Sequence, residues 1–300
     1  MSLVVVGSLA IDQVVTPKGE RECLGGSASY FAYVASFFGP VRLVGVVGAD
    51  FPKEYLKLFE SRPGLDVSGI QHAPGKTFRW KGKYSEDMNS RETLEVHLNV
   101  FGEFEPVVPE HFRDSRFVFL GNASPVVQRK VLKQIKSPKL TVCDTMDLWI
   151  ETQKDELCAL LKEVDGVVLN NSEAELLTQK PQLVNAGLAV LEMGPKFVVV
   201  KKGEHGATLF TKEGICAMPA YPVTKLVDPT GAGDTFAGGM IGYLAQLDTT
   251  DHSAFKKAMA YGTATASLTV EDFSLNRLTK ASRSDVDQRY NEIREMLKLD

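Results

Sequence analysis

Cysteine is scarce in this chain. Its 300 residues include four, Cys23, Cys143, Cys158 and Cys216. Their gaps are long and irregular, with no Cys-x-x-Cys, so neither a disulfide framework nor a zinc site is expected and the thiols read as reduced. The histidines, His72, His97, His111, His205 and His252, show no ligand spacing. No run approaches the roughly 18 apolar residues that a membrane span needs. The opening Met1-Ser2-Leu3-Val4-Val5-Val6-Gly7 lacks a basic segment ahead of a long apolar run, so no signal peptide is expected and the protein reads as cytoplasmic, without a membrane partner. Excess positive charge is missing too. Against 34 basic side chains stand 38 acidic ones, a formal charge of −4, which argues against a nucleic-acid partner. Two phosphate motifs are also absent. There is no Gly-x-x-x-x-Gly-Lys-Ser/Thr, and Gly7-Ser8-Leu9-Ala10 supplies no Gly-x-Gly-x-x-Gly after the first apolar run. A P-loop protein and a nicotinamide dehydrogenase are thereby disfavoured.

What remains is ordinary globular composition, 44% hydrophobic and 24% charged, in a chain long enough to bury its own core. Short apolar runs at Leu3 to Val6, Val41 to Val47, Phe117 to Leu120, Leu140 to Cys143, Gly166 to Leu169 and Phe197 to Val200 read as buried strands. Between them lie helical patterns: Ser27 to Phe38, closed by Gly39-Pro40, then Val126 to Ile135, Leu157 to Val164, Glu173 to Leu177 and Leu183 to Glu192. This alternation predicts a doubly wound, mostly parallel α/β sheet flanked by helices, in a single unit over residues 1–300. Residues 76–100 break the rhythm by alternating polar and bulky side chains around Asp87-Met88-Asn89-Ser90, and residues 14–24 carry Thr16-Pro17-Lys18-Gly19. Two hairpins are predicted there, forming one small β-sheet lid outside the main sheet. Ser284 to Leu299 reads as a charged, amphipathic surface helix.

The chemistry concentrates in Asp228-Pro229-Thr230-Gly231-Ala232-Gly233-Asp234, which opens onto an apolar helical run. A glycine-rich turn at a helix start leaves backbone amides uncovered, and these together with the helix dipole make an anion site, phosphate by preference. Asp234 at that start would be stabilised there as a cap alone. Beside a phosphate site it also has a second use, as the acceptor of a proton from an attacking hydroxyl.

The run from Asp228 to Phe236 resembles the C-terminal signature of the ribokinase-like (PfkB) carbohydrate kinase family, and Gly25-Gly26-Ser27-Ala28-Ser29-Tyr30 resembles its N-terminal signature. The resemblance covers nearly the whole chain. It implies that Asp234 is the catalytic base and that the amides of Gly231, Ala232, Gly233 and Asp234 form the anion hole. It implies that Asp12 holds substrate hydroxyls and that Gly25 and Gly26 let the substrate approach the backbone. Asn170 and Glu173 match an Asn-x-x-Glu motif linked to phosphate and magnesium, Glu173 through water. Lys202, Gly203 and Gly206 match a turn lining the nucleotide site, and Asp228 and Thr230 match positions contributing to a monovalent-cation (potassium) site in some members. The lid of this family often mediates dimers, which implies a homodimer.

Several positions depart from the family pattern. Tyr30 stands where many members have asparagine, Ala10 and Ser27 where ribokinase has asparagine and lysine, and Lys201 where threonine is common. Tyr30 is expected to stack on a base or a sugar face, and Lys201 to offset phosphate charge. Asn122 and Asp144, at the ends of predicted parallel strands, point toward the ligand crevice. The expected activity is ATP- and magnesium-dependent phosphorylation of a hydroxyl of a small sugar. A nucleoside kinase of the same family is the alternative within the class. A non-catalytic sugar- or nucleotide-binding regulatory protein is the alternative outside it.

Overall fold

Alternate residues of the first strand enter different cores. Leu3 and Val5 join one cluster of buried side chains, Val4 and Val6 another. Phe197 and Val199 are divided in the same way from Val198 and Val200. A strand covered on both faces can carry no polar side, so these segments appear in the sequence as unbroken apolar runs.

The computed structural model describes residues 2–298. Met1, Leu299 and Asp300, which end the expected 1–300 unit and, at Leu299, the expected C-terminal helix, lie outside the described residues. In chain order the strands are β1 (Leu3–Val6), β2 (Ala10–Thr16), β3 (Gly19–Gly25), β4 (Val41–Val47), β5 (Leu65–His72), β6 (Phe78–Tyr84), β7 (Arg91–His97), β8 (Phe117–Leu120), β9 (Leu140–Asp144), β10 (Gly166–Asn170), β11 (Phe197–Lys201), β12 (Ala207–Thr211) and β13 (Gly214–Met218). Nine of them form one sheet in the order β13-β12-β11-β10-β9-β8-β1-β4-β5. It is parallel except at the β12 and β13 edge. The remaining four pair as β3-β2-β6-β7. There the two expected hairpins merge, because β2 runs parallel to β6 with Ala10 opposite Phe78 and Asp12 opposite Trp80. This is the expected doubly wound α/β architecture with a small second sheet.

The helix Ser27–Ala35 is buried along its whole length, which suits a helix clamped between the sheet and a second helix, Ala232–Leu247. It ends earlier than Phe38. The amides of Phe37 and Phe38 bond back three residues, to Val34 and Ala35 (3.0 and 2.9 Å), so the last turn tightens before Gly39-Pro40. Phe31 stacks on Phe119 of β8 at 4.0 Å between ring centres, fixing this helix to the sheet. The amphipathic helix Lys53–Glu60, the long helix His252–Thr269 and the β12–β13 hairpin extend the expected element list.

Phe31 and Phe119 are both fully buried, so Phe31→Ala is expected to lower unfolding stability by about 3–5 kcal/mol in urea titration. A loss below about 1 kcal/mol would remove the stack as an anchor of this helix.

Candidate active site

The helix Ala232–Leu247 starts from Gly231, whose φ is 76°. Any side chain there would be strained, and its Cβ would overlap the Tyr30 ring. Tyr30 is 1% exposed. This corrects the expected stacking role, since the ring supports the loop from beneath and offers no face to a ligand. Among the described residues the amides of Gly231, Gly233 and Asp234 have no acceptor within the chain, whereas Ala232 N–H donates to the Pro229 carbonyl at 3.1 Å. The expected hole of four amides therefore reduces to three. Asp228 shapes the loop and is fully buried. Its Oδ1 accepts from Thr230 N–H (2.9 Å) and its Oδ2 from Ser274 N–H (3.4 Å). Both oxygens serve the backbone, and nothing beyond the family resemblance supports potassium at Asp228 and Thr230.

Three neighbouring strands deliver the next group of residues. β10 pairs with β9 and with β11, and its Asn170 lies level with Lys201. Lys201 Nζ reaches to 3.8 Å from Asp144 Oδ1, and a Cβ on Gly233 would lie 2.8 Å from that nitrogen. The lysine thus runs beneath the helix start. Asn170 and Glu173 form a reciprocal cap. Glu173 N–H donates to Asn170 Oδ1 (2.8 Å), and Asn170 N–H donates to Glu173 Oε2 (2.7 Å). The cap engages only Oε2 of the Glu173 carboxyl.

Burial pushes the Glu173 carboxyl up to about 8, against the pull of Lys201. Asp234 is pushed up to about 7, first by burial and then by the Asp144 charge, with Lys201 and Arg91 opposing. Burial works against a charge on Lys201, but Asp144, Glu173 and Asp234 outweigh it and hold the ammonium above its ordinary value.

Asp12 arrives from the second sheet. A Cβ on Gly25 would fall inside its carboxylate, so only glycine leaves room for it there. Asp12 is 4% exposed and is pushed up to about 8 by burial, then by Asp228 and Asp234. Gly26 caps the helix Ser27–Ala35. In the turn after β11, Lys202 N–H donates to the Gly206 carbonyl at 2.7 Å across Gly203–His205. Asn122 is tied elsewhere. Its Oδ1 accepts from Trp149 Nε1 (2.8 Å) and its Nδ2 donates to Met146 Sδ (2.9 Å), so both ends of the amide expected to meet substrate are engaged within the chain.

Among the described residues no three His, Cys, Asp or Glu side chains converge as a metal cage. Asp144 Oδ1 is buried without a hydrogen-bond partner, and it and the free oxygen of Glu173 are hard oxygen donors, which suit a magnesium ion that keeps its waters.

The sequence pattern of the pfkB family carbohydrate kinases matches residues 2–281. The chain belongs to that family. It is 34% identical over 249 residues to a cytidine kinase of Thermococcus kodakarensis, covering 80% of this chain and 87% of that one. It is 27% identical over 264 residues to an inositol 3-kinase of Arabidopsis thaliana, covering 80% and 67%. A nucleoside kinase of Burkholderia thailandensis solved in complex with inosine superposes with a TM-score of 0.82 at 18% identity, over 97% of each chain. Membership implies an ATP-dependent phosphotransferase, usually working with magnesium, on a sugar or a nucleoside. No described helix is long and apolar enough to cross a membrane.

Within this pfkB kinase, sequence reasoning passed over Arg91 and over the contact of Tyr84 with the anion loop. Their place at the site comes from pairing between β6 and β7 and from contacts with loops more than a hundred residues away. The alternation of residues 76–100 announces the strands but not where their ends land. Gly25→Ala is expected to displace Asp12 and raise the acceptor KM by about tenfold or more, leaving ATP affinity unchanged in titration calorimetry. An unaltered acceptor KM would separate Asp12 from acceptor binding.

Proposed function

We propose that this chain transfers the terminal phosphoryl group of ATP to a hydroxyl of a nucleoside, with the four-stranded sheet serving as a lid over the acceptor. The observation that carries the reading is Asp234, a carboxyl held near neutrality beside the uncovered amides of Gly231 and Gly233. Asp12, lodged over Gly25, orients the acceptor hydroxyl. Asp234 takes the hydroxyl proton as the new O–P bond forms and the bridging O–P bond to ADP breaks. The three amides hold the charge on the transferred oxygens without reorganising. Lys201 offsets phosphate charge from below, and the Lys202 to Gly206 turn lines the nucleotide. Magnesium, when bound near Glu173 and Asp144, would neutralise phosphate charge through its waters.

A nucleoside acceptor is supported by the cytidine kinase relative. The inositol 3-kinase relative supports a second reading, a free sugar or polyol acceptor. Both are separated by ADP release with cytidine, adenosine, inosine, ribose and inositol. Turnover of the sugars or inositol alone selects the second reading, and no turnover with measurable ATP binding sinks both. Exposed Leu94 and Val96 on β7 (42% and 37%) support the lid-to-lid homodimer, which sedimentation at micromolar concentration tests; a single-chain mass excludes it.

Asp234→Asn is expected to lower kcat by about 10² to 10⁴ with ATP binding intact; unchanged turnover would remove the base. The groups facing Asp234 are Asp144 from β9, Lys201 from β11 and Arg91 from β7. Only the ionised form accepts the proton, so acceptor kcat/KM is expected to fall as pH drops through about 7. A profile flat down to about pH 5 would mean that burial does not set this group.

A further inference from the structure

Arg91 opens β7 directly opposite Tyr84, the last residue of β6. The Tyr84 hydroxyl accepts a hydrogen bond from Thr230 Oγ1 at 3.1 Å, one residue before the Gly231 cap of the anion loop. The turn between the two strands is fastened a second time, where Asn89 Nδ2 donates to Glu204 Oε1 at 3.1 Å in the turn after β11. The hairpin is thus latched at its end on both loops that would hold phosphate. The Arg91 guanidinium lies over the Trp80 ring, 5.4 Å from its centre, which restricts where its charge points.

That charge has no anionic partner among the described residues. Among the described residues Arg91 makes no hydrogen bond and no ion pair, whereas Arg79 of the same sheet pairs with Glu22 (3.0 Å) and Asp50 (3.4 Å). Yet the guanidinium acts on groups on both sides of the gap. It holds down the proton affinity of Asp12 and of Asp234 and works against the charge of Lys201. An unpaired cation therefore sits at the hairpin end that Tyr84 ties to the residue before the Gly231 cap, within electrostatic reach of both Asp12 and Asp234.

We propose that Arg91 is a catalytic cation carried by the lid: with the hairpin latched through Tyr84 and Asn89, its guanidinium donates hydrogen bonds to the phosphoryl group passing from the nucleotide to the acceptor oxygen. The inference rests on the kinase reading above. A planar guanidinium with several donors suits the spread charge of three equatorial oxygens better than a point-like ammonium. Because it rides on the hairpin, the full set of cations exists only when the hairpin is docked. ATP bound without acceptor, with the hairpin undocked, would lack Arg91 and hydrolyse slowly.

The test uses the full-length protein with Mg-ATP and whichever panel acceptor it turns over. Absence of wild-type turnover with every acceptor overturns the kinase reading and this inference with it. With an active wild type, Arg91→Met is expected to lower kcat by about 10² to 10³ while both KM values stay within about threefold. Arg91→Lys is expected to lose about tenfold, since the charge survives but the paired donors do not. Millimolar guanidinium is expected to restore part of the activity of Arg91→Ala, a rescue that a merely structural role would not give. A kcat within about twofold of wild type in Arg91→Met, or a loss confined to the acceptor KM, overturns the inference. Should the methionine variant fail to fold, the lysine variant decides: wild-type kcat there also overturns it.

Discussion

Four carboxylates, Asp12, Asp144, Glu173 and Asp234, press on one small region that must also admit a polyanionic nucleotide. Water cannot screen them there, because Asp12, Asp144 and Glu173 are all buried. Burial raises the proton affinity of each. The only ammonium among them is Lys201, and its charge is kept by the same three neighbours that need it. A site built this way is not fully ionised near neutral pH. A carboxyl whose affinity lies near neutrality is a useful base, able to take a hydroxyl proton without being too weak to hold it.

The sheet explains how such crowding is built. β9, β10 and β11 are adjacent and parallel, so their carboxyl ends emerge side by side. Asp144 ends one, Asn170 ends the next, and Lys201, level with Asn170, ends the third. Glu173 follows one turn later because Asn170 caps the helix that carries it. The helix start at Gly231 lies across these ends, with Gly233 against Lys201. Little in this corner is free to relax, since the strands are buried on both faces and the loop rests on a core tyrosine. That rigidity makes fixed amides effective as an anion hole.

How much of this was legible in the sequence follows from which interactions are local. The parallel strands were legible because burial on two faces writes an unbroken apolar run. The anion loop was legible because glycine spacing and the following apolar helix sit within a dozen residues of each other. Asn170 and Glu173 were legible as a pair, and the structure adds that the pair is first a helix cap. The stacking role expected of Tyr30 rests on its place in the family pattern, and in a helix buried all round nothing local says which side faces a ligand. The Ala232 amide was counted into the hole because a turn bond to Pro229 leaves no mark in side-chain chemistry. Asn122 meets Trp149, and Tyr84 meets Thr230; both pairings depend on how loops far apart in the chain come together, which no local pattern encodes.

The second sheet cannot be decoration. The carboxylate that would orient the acceptor, Asp12, belongs to it, while the base, Asp234, belongs to the helix laid against the main sheet. The two feel each other's charge, so they are close only while the sheets stay in register. When both are ionised their repulsion favours separation, and among the described residues neither makes an ion pair with a cation. What opposes it is Gly25, which gives the Asp12 carboxylate room, and the hydrogen bonds that tie the hairpin end to the anion and nucleotide loops. Acceptor recognition and proton transfer are therefore divided between two bodies whose docking is itself electrostatically strained, and an anion taken up between them relieves that strain only if cations such as Lys201 and Arg91 arrive with it.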